Sequence, residues 1–284
     1  MIAAGAPVLR AANAAEDDPS AHLYPVPPNT AYTIEREVTP ERTVTTYNNF
    51  YEFGSSKEIW RQAQALPLRP WQVRIDGLVE QEMTLDIDDL LARMPLEERL
   101  YRHRCVERRS MTVPWAGFPM RSLVELAQPL SSAKYIRMES YFDADIVPRR
   151  MLLYPWPYTE GLTIEEATNE LAFLVTGAYG KPLERQNGAP LRLAVPWKYG
   201  FKSGKSIIRF TFTGEQPRNF WQVVDGGEYG FWANVNPEVA HPRWSQAIET
   251  VLHTGDKIPT ILFNGYSEYV ADLYSDLKGE ALFM

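Results

Sequence analysis

No regular alternation of strand and helix runs through this chain, which argues against a doubly wound parallel sheet before any other feature is weighed. Strand signals are frequent instead. In "WQVRIDGLV" (71–79) the apolar positions Trp71, Val73 and Ile75 alternate with polar ones, and the segments 135–140, 171–177, 191–195 and 206–214 read as further strands. Helical segments are short. One follows Asp86, which is placed to cap it, and is stopped by Pro95. Others fall at 120–127, at 163–168, where Thr163 and Glu166 form a capping-box pattern, and at 243–251. Residues 19–46, rich in proline and threonine and without a helical period, read as an extended arm laid over a domain. Together these features describe an α+β chain of mixed β-sheets with short helices, in which residues 19–284 form one domain without internal repeats.

A single cysteine, Cys105, allows no internal disulfide, so stability has to come from the core. With 284 residues, 45% of them apolar, the chain can bury one of sufficient size. The 12% aromatic content suits either an aromatic core or a pocket that stacks something planar. A net charge of −7 argues against nucleic acid or an anionic membrane surface as the main partner, so any basic feature must be local. At the N-terminus, small apolar residues lead into Ala12-Asn13-Ala14 and then Glu16-Asp17-Asp18, which is how an export signal and its cleavage site end. No twin arginine precedes the run. Residues 1–18 therefore read as the remnant of an export signal and a linker, with a frayed apolar terminus as the alternative. No later segment is apolar for long enough to span a membrane, and the mature chain is expected to be soluble.

The histidines His22, His103, His241 and His253 are scattered and fit no zinc-binding spacing. "YGFKSGKS" (199–206) falls one residue short of a phosphate loop between Gly200 and Gly204. It leaves a glycine-containing turn in which Lys202, Ser203, Lys205 and Ser206 could hold an anion, or a solvated turn before a strand. Cys105 is flanked by Arg102, Arg104, Arg108 and Arg109. A lone cysteine is most often a small buried hydrophobe. Arginines on its own side would favour the thiolate, which can attack a carbonyl or hold a soft, redox-active metal. The first use needs a histidine base, and His103 is too near in sequence to be well oriented for that role.

Six blocks give the chain a family likeness: "YNNFYEFG" (47–54), "RCVE" (104–107), "VPWAGFP" (113–119), "QNGAPLRLAVPWKYGFK" (186–202), "YGFWANVNPEVAHPRWSQ" (229–246) and "LFNGY" (262–266). In this order they resemble the molybdenum catalytic subunit of the bacterial protein-methionine-sulfoxide reductases, within the sulfite oxidase superfamily. The resemblance spans about residues 40–270. It implies a sulfite-oxidase-type molybdopterin-binding domain and a molybdenum-molybdopterin cofactor with a single pterin and no nucleotide, its metal held by Cys105. It further implies export to the periplasm by the twin-arginine route, electrons from a membrane haem-binding subunit, and oxidised periplasmic proteins as substrates, with no nucleic acid among the partners. Carried over position by position, the pterin contacts fall on Asn48, Tyr51, Glu52, Ser140, Asn187 and Arg192, and the pterin phosphate falls on Ser203, Gly204 and Lys205.

The implied chemistry is oxygen-atom transfer from methionine sulfoxide to the reduced metal. Glu107 is a candidate for tuning or proton supply beside Cys105, with a structural ion pair to a nearby arginine as the alternative. By analogy with larger relatives that carry extra domains, a monomeric catalytic subunit is expected. The departures lie at Arg108 and Arg109, where the family has a small residue and a tryptophan, and in the Ser203-Gly204-Lys205 turn. If Cys105 lies on an extended segment, Arg109 shares its face and Arg108 points away. Two other classes stay in view: a sulfite-oxidase-like molybdoenzyme acting on another S- or N-oxide or an oxyanion, and a non-catalytic binding protein or cysteine hydrolase.

Overall fold

Two mixed sheets carry the chain, and Cys105 sits in the tight turn between two strands of the second. The computed structural model describes residues 18–284, so the expected export-signal remnant lies outside the described residues except for Asp18. The strands are β1 (Gln72–Gly77), β2 (Met83–Asp86), β3 (Glu97–Arg104), β4 (Arg109–Pro119), β5 (Tyr135–Ser140), β6 (Thr159–Thr163), β7 (Phe173–Ala178), β8 (Lys181–Pro182), β9 (Arg192–Ala194), β10 (Ile207–Thr213), β11 (Ile248–Val251) and β12 (Lys257–Pro259). The first sheet runs β2-β1-β10-β5-β6, with β1 parallel to β10 and the other pairs antiparallel. The second runs β12-β11-β4-β7-β8, with β3 added to β4 and β9 to β7, and its β11–β4 pair is parallel. This is the α+β architecture of mixed sheets that the strand pattern describes.

One apolar core joins both sheets. Ile75, Ile136, Leu162 and Phe210 from the first and Val113, Trp115, Phe173 and Leu193 from the second belong to the same buried cluster. Burying side chains of this size contributes about 1.5–3 kcal/mol each, which is how a chain without disulfides holds together. The two sheets' strands are not uniformly apolar. β3, "EERLYRHR", carries charges at most positions and has no alternation to mark it as a strand. It is accommodated because Arg99 lies 4.0 Å over the Tyr32 ring and 4.6 Å over Phe173, so a buried guanidinium is covered by aromatic faces. Where β4 meets β7 the register shifts between Ala116 and Gly117. A Cβ at Gly117 would lie 2.1 Å from the Leu174 carbonyl oxygen, so this close approach requires glycine.

The helices follow their local signals. α2 (Ile87–Leu91) is capped by Asp86, whose carboxylate accepts the Asp88 N–H at 3.0 Å, and it ends before Pro95. α3 (Met120–Ala127) buries Met120, Leu123, Val124 and Ala127, spaced at i, i+3, i+4 and i+7. α4 (Ile164–Thr168) has the full capping box: Thr163 Oγ1 accepts the Glu166 N–H at 3.1 Å and Glu166 Oε2 accepts the Thr163 N–H at 3.2 Å. α5 (Phe220–Val224) and α6 (Ser267–Val270) complete the later half.

Two expectations need correction. The segment 243–251 is not a helix: its second half is β11, paired with β4 on one side and β12 on the other, and Gln246 before it is buried in a loop. Pairing along both edges of a strand outweighs the weak helical preference of those residues. Nor is 19–46 extended throughout, because Glu41–Thr46 forms a short helix, α1, with Val44 buried beneath it.

Candidate functional site

A cavity of about 470 Å³ opens between the second sheet and the loops after α1, β5 and β9. Every site residue that the family resemblance implies lines it. Asn48, Tyr51 and Glu52 come from the loop after α1, Cys105 and Glu107 from the turn after β3, and Ser140 from the end of β5. Asn187 and Arg192 flank the start of β9, and Ser203, Gly204 and Lys205 form the turn before β10. Distant segments thus supply one wall each.

Cys105 opens a tight turn rather than an extended segment. Its N–H donates to the Arg109 carbonyl at 2.8 Å, the Arg108 N–H donates back to the Cys105 carbonyl at 2.9 Å, and Arg108 closes the turn in a left-handed conformation with φ 65°. Arg109 lines the cavity and Arg108 does not, the division expected from strand alternation but produced here by the turn.

The charge around the thiol also differs from the expectation. Arg104 lies behind the turn, buried, with Nε 3.0 Å from Glu249 Oε2, and Arg102 donates to the Asn264 carbonyl at 2.9 Å. The charged group in contact with the sulfur is Glu107, whose Oε2 is 3.8 Å from Sγ and which pairs with Lys57. Burial, and then the Glu107 carboxylate, push the Cys105 thiol up rather than down, with the Glu107 N–H, Lys57 and Arg104 opposing only in part. Glu107's ion-pair partner is therefore a lysine 50 residues away, not a neighbouring arginine.

Opposite the turn, the cavity holds two cations, Arg192 and Lys205, with the buried Glu52 carboxylate acting on Lys205 from beyond ion-pair distance. Arg192 donates to the carbonyls of Asn187 (2.8 Å), Leu193 (3.3 Å) and Ser203 (3.4 Å). Among the described residues no carboxylate lies within ion-pair distance of Arg192 or Lys205. Burial drops Arg192 to about 10, and burial and then Arg192 push Lys205 down. Burial pushes Glu52 up. The Lys205 and His103 side chains are deep in the protein yet keep open surface, and that surface faces the cavity.

His103 was not among the inferred site residues. It lines the cavity as a neutral ring, held down to about 3 by burial and then by Arg192 and Lys205. A Cβ at Gly200 would come within 2.5 Å of its Nε2, so glycine makes room for the ring. In the 200–205 turn, the Ser203 and Gly204 amides already donate to the Gly200 and Lys202 carbonyls, at 3.2 and 3.1 Å. An anion would therefore meet the side chains of Lys205, Arg192 and Ser203 rather than a ring of free amides.

The donor set suits a molybdopterin. Buried, unpaired cations answer a phosphate, the Asn48 Oδ1 atom is buried without a hydrogen-bond partner, and the one thiol is the soft ligand. The rim is aromatic, with the Tyr51 and Trp221 rings 4.8 Å apart edge to face and Trp221 5.3 Å from Tyr229. Trp221 and Lys57 lie outside the quoted blocks and carry no local mark of function; only folding brings them to Cys105.

Residues 62–221, more than half of the chain, match the family described as the oxidoreductase molybdopterin binding domain. The matched region contains Cys105, Glu107, Ser140, Asn187, Arg192 and Ser203 to Lys205. The chain belongs to this family of molybdopterin oxidoreductases, within the sulfite oxidase superfamily. Among solved structures, the sulfane dehydrogenase SoxCD from Paracoccus pantotrophus shares the fold, with 18% sequence identity and a TM-score of 0.50. The match covers 64% of this chain and 45% of that one, so the present chain corresponds to less than half of the SoxCD chain.

Proposed function

We propose that this chain is the catalytic subunit of a molybdenum-dependent protein-methionine-sulfoxide reductase of the periplasm. In this reading its cofactor is a single molybdopterin without a nucleotide, its substrates are oxidised periplasmic proteins, and it acts as a monomer. Export would follow the twin-arginine route, and a membrane haem subunit would supply electrons. The observation that carries the reading is the gathering of Cys105 and the whole inferred pterin set on one cavity, with Val106, Trp221, Val224, Trp244 and Leu252 offering apolar surface to a thioether.

The chemistry a bound molybdenum cofactor supplies is acceptance of the sulfoxide oxygen, the overall change taking a sulfoxide, two electrons and two protons to a thioether and water. Cys105 would supply the thiolate ligand. Arg192 and Lys205 would face the pterin phosphate, and Asn48, Tyr51, Glu52, Ser140 and Asn187 would supply hydrogen-bonding groups around the pterin. Glu107 Oε2, exposed at the mouth and paired with Lys57, is placed to take a proton from solvent and hold it 3.8 Å from Sγ.

A sulfite-oxidase-like activity on an anion is the second reading, prompted by the cations Lys57, Arg109 and Arg243 at the cavity. Their charge is largely answered: Glu107 pairs with Lys57, Glu228 Oε2 accepts from Arg243 at 2.7 Å, and Asp225 also lines the mouth. A balanced mouth favours a neutral sulfoxide over an oxyanion. Steady-state assays of the molybdenum-loaded protein with a methionine-sulfoxide peptide and with sulfite decide between them. We expect turnover of the peptide, and turnover of sulfite alone would give the second reading its place.

Two expected results follow from the site. Arg192→Ala and Lys205→Ala should each lower pterin content, because a lost charge-assisted bond costs about 1–3 kcal/mol, or roughly 5- to 150-fold in affinity. Molybdenum and pterin occupancy equal to wild type in both variants would place the anchor elsewhere. Arg109 is the cavity-lining cation at the mouth that has no ion-pair partner among the described residues. Peptides with acidic residues flanking the sulfoxide should therefore be reduced roughly two- to fivefold more efficiently than lysine-flanked ones at low salt. That ratio should fall at high salt and with Arg109→Trp, but not with Arg108→Ala. Equal efficiency for both peptides at low and high salt would reduce Arg109 to a solvated charge.

A further inference from the structure

The turn that carries Cys105 is held by two side-chain donors, Gln246 and Trp244, the second of which also lends its ring to the cavity wall. The Val106 carbonyl accepts two side-chain hydrogen bonds, from Trp244 Nε1 at 2.9 Å and from Gln246 Nε2 at 2.9 Å. The other end of the same peptide unit, the Glu107 N–H, donates to Cys105 Sγ at 3.4 Å. Both side-chain donors are themselves fixed. Arg104 Nη2 donates to Gln246 Oε1 at 2.9 Å, which orients the amide so that Nε2 faces Val106. Arg104 is in turn anchored by Glu249 and Thr260 and also donates to the Cys105 carbonyl. The Trp244 ring stacks on His241, with centroids 4.0 Å apart and planes 6° from parallel, and Arg243 lies 4.7 Å over it.

An amide transmits charge between its two ends, because resonance couples the carbonyl oxygen to the N–H. Donors on the oxygen draw electron density from the nitrogen, the N–H becomes a stronger donor, and successive hydrogen bonds reinforce one another in a low-dielectric site. Hydrogen bonds to a ligating sulfur in turn set the potential of the metal it holds. We propose that Trp244 and Gln246 are positioning residues that act on the Cys105 sulfur through the Val106–Glu107 peptide, strengthening its N–H···S bond and raising the reduction potential of a metal bound there. The inference rests on Cys105 as the metal ligand in the proposed function, and not on the identity of the substrate.

Trp244→Phe removes the indole N–H while keeping an aromatic ring against His241. Gln246→Glu keeps the oxygen that Arg104 holds and replaces the amide donor with an acceptor. In the molybdenum-loaded protein, redox titration followed by electron paramagnetic resonance should show the midpoint potential shifted downward in both variants at unchanged molybdenum content. In the full chain without metal, the Glu107 amide proton resonance should move upfield in both, which reads the weakened N–H···S bond directly. A potential and a Glu107 resonance unchanged from wild type in both variants would overturn the proposal and leave Trp244 and Gln246 as packing. Both readouts are independent of sulfoxide turnover, so a protein that titrates as expected but reduces no sulfoxide fails the functional reading alone.

Discussion

Cys105→Ser should give a folded chain with wild-type thermal stability and no measurable sulfoxide turnover. The thiol lies in a turn outside the buried apolar clusters, and its contacts are the Glu107 amide and carboxylate, which a serine hydroxyl can also meet. Little packing is lost. What is lost is the soft donor, since a hard oxygen is a poor substitute for a thiolate at a soft metal position. The fall in rate should exceed the roughly 10- to 100-fold that follows loss of a supporting contact. Steady-state assay beside a thermal melt separates the two effects, and a variant as active as wild type removes Cys105 from the role of ligand.

The largest stability effect is expected at Lys202→Met. Lys202 is fully buried beneath the turn that ends in Lys205, with Nζ 2.7 Å from Glu160 Oε2, 2.9 Å from the Gly161 carbonyl and 4.8 Å from the Phe231 ring centroid. Removing the ammonium strands a buried carboxylate, a loss of about 3–5 kcal/mol, which for a chain of this size corresponds to a fall in Tm of roughly 6–20 °C. Burial already pushes Glu160 up, with Lys202 the main opposing influence. Without Lys202 the folded-state pKa rises further above the unfolded value. Stability is then retained below the unfolded pKa, where the carboxyl is protonated in both states, and is lost as pH rises through the raised folded pKa. The deficit should therefore be smaller in acid than at neutral pH, and Glu160→Gln should recover part of it. A melt within about 1 kcal/mol of wild type at neutral pH would show that the pair is dispensable.

Local signals were legible wherever a short stretch carried its own instruction. The alternation of β1, the apolar spacing of α3 and the Thr163 capping box each depend on residues a few positions apart. β3 was not legible, because its charges become tolerable only when Tyr32 and Phe173 cover Arg99. The segment 243–251 was misread because its strand pairs with β4, far earlier in the chain. At the site, the family blocks name residues that do line one cavity, but the electrostatics could not be read from them. The arginines flanking Cys105 suggested a lowered thiol, whereas Arg104 is spent on Glu249, 145 residues away, and the sulfur faces Glu107 instead.

The hairpin that presents Cys105 and the groups that grip it differ sharply in sequence separation. The turn closes between residues 105 and 109, whereas Trp244 and Gln246 reach Val106 from 138 and 140 positions away. Local contacts are entropically cheap to make and tend to form first, while long loops close late. During synthesis, then, the hairpin is expected to close before the wall behind it can form. Trp221, Tyr229, Trp244 and Leu252 of the cavity wall all come from the final third of the chain, so a pterin that needs the whole lining is expected to enter the finished fold and not the nascent chain.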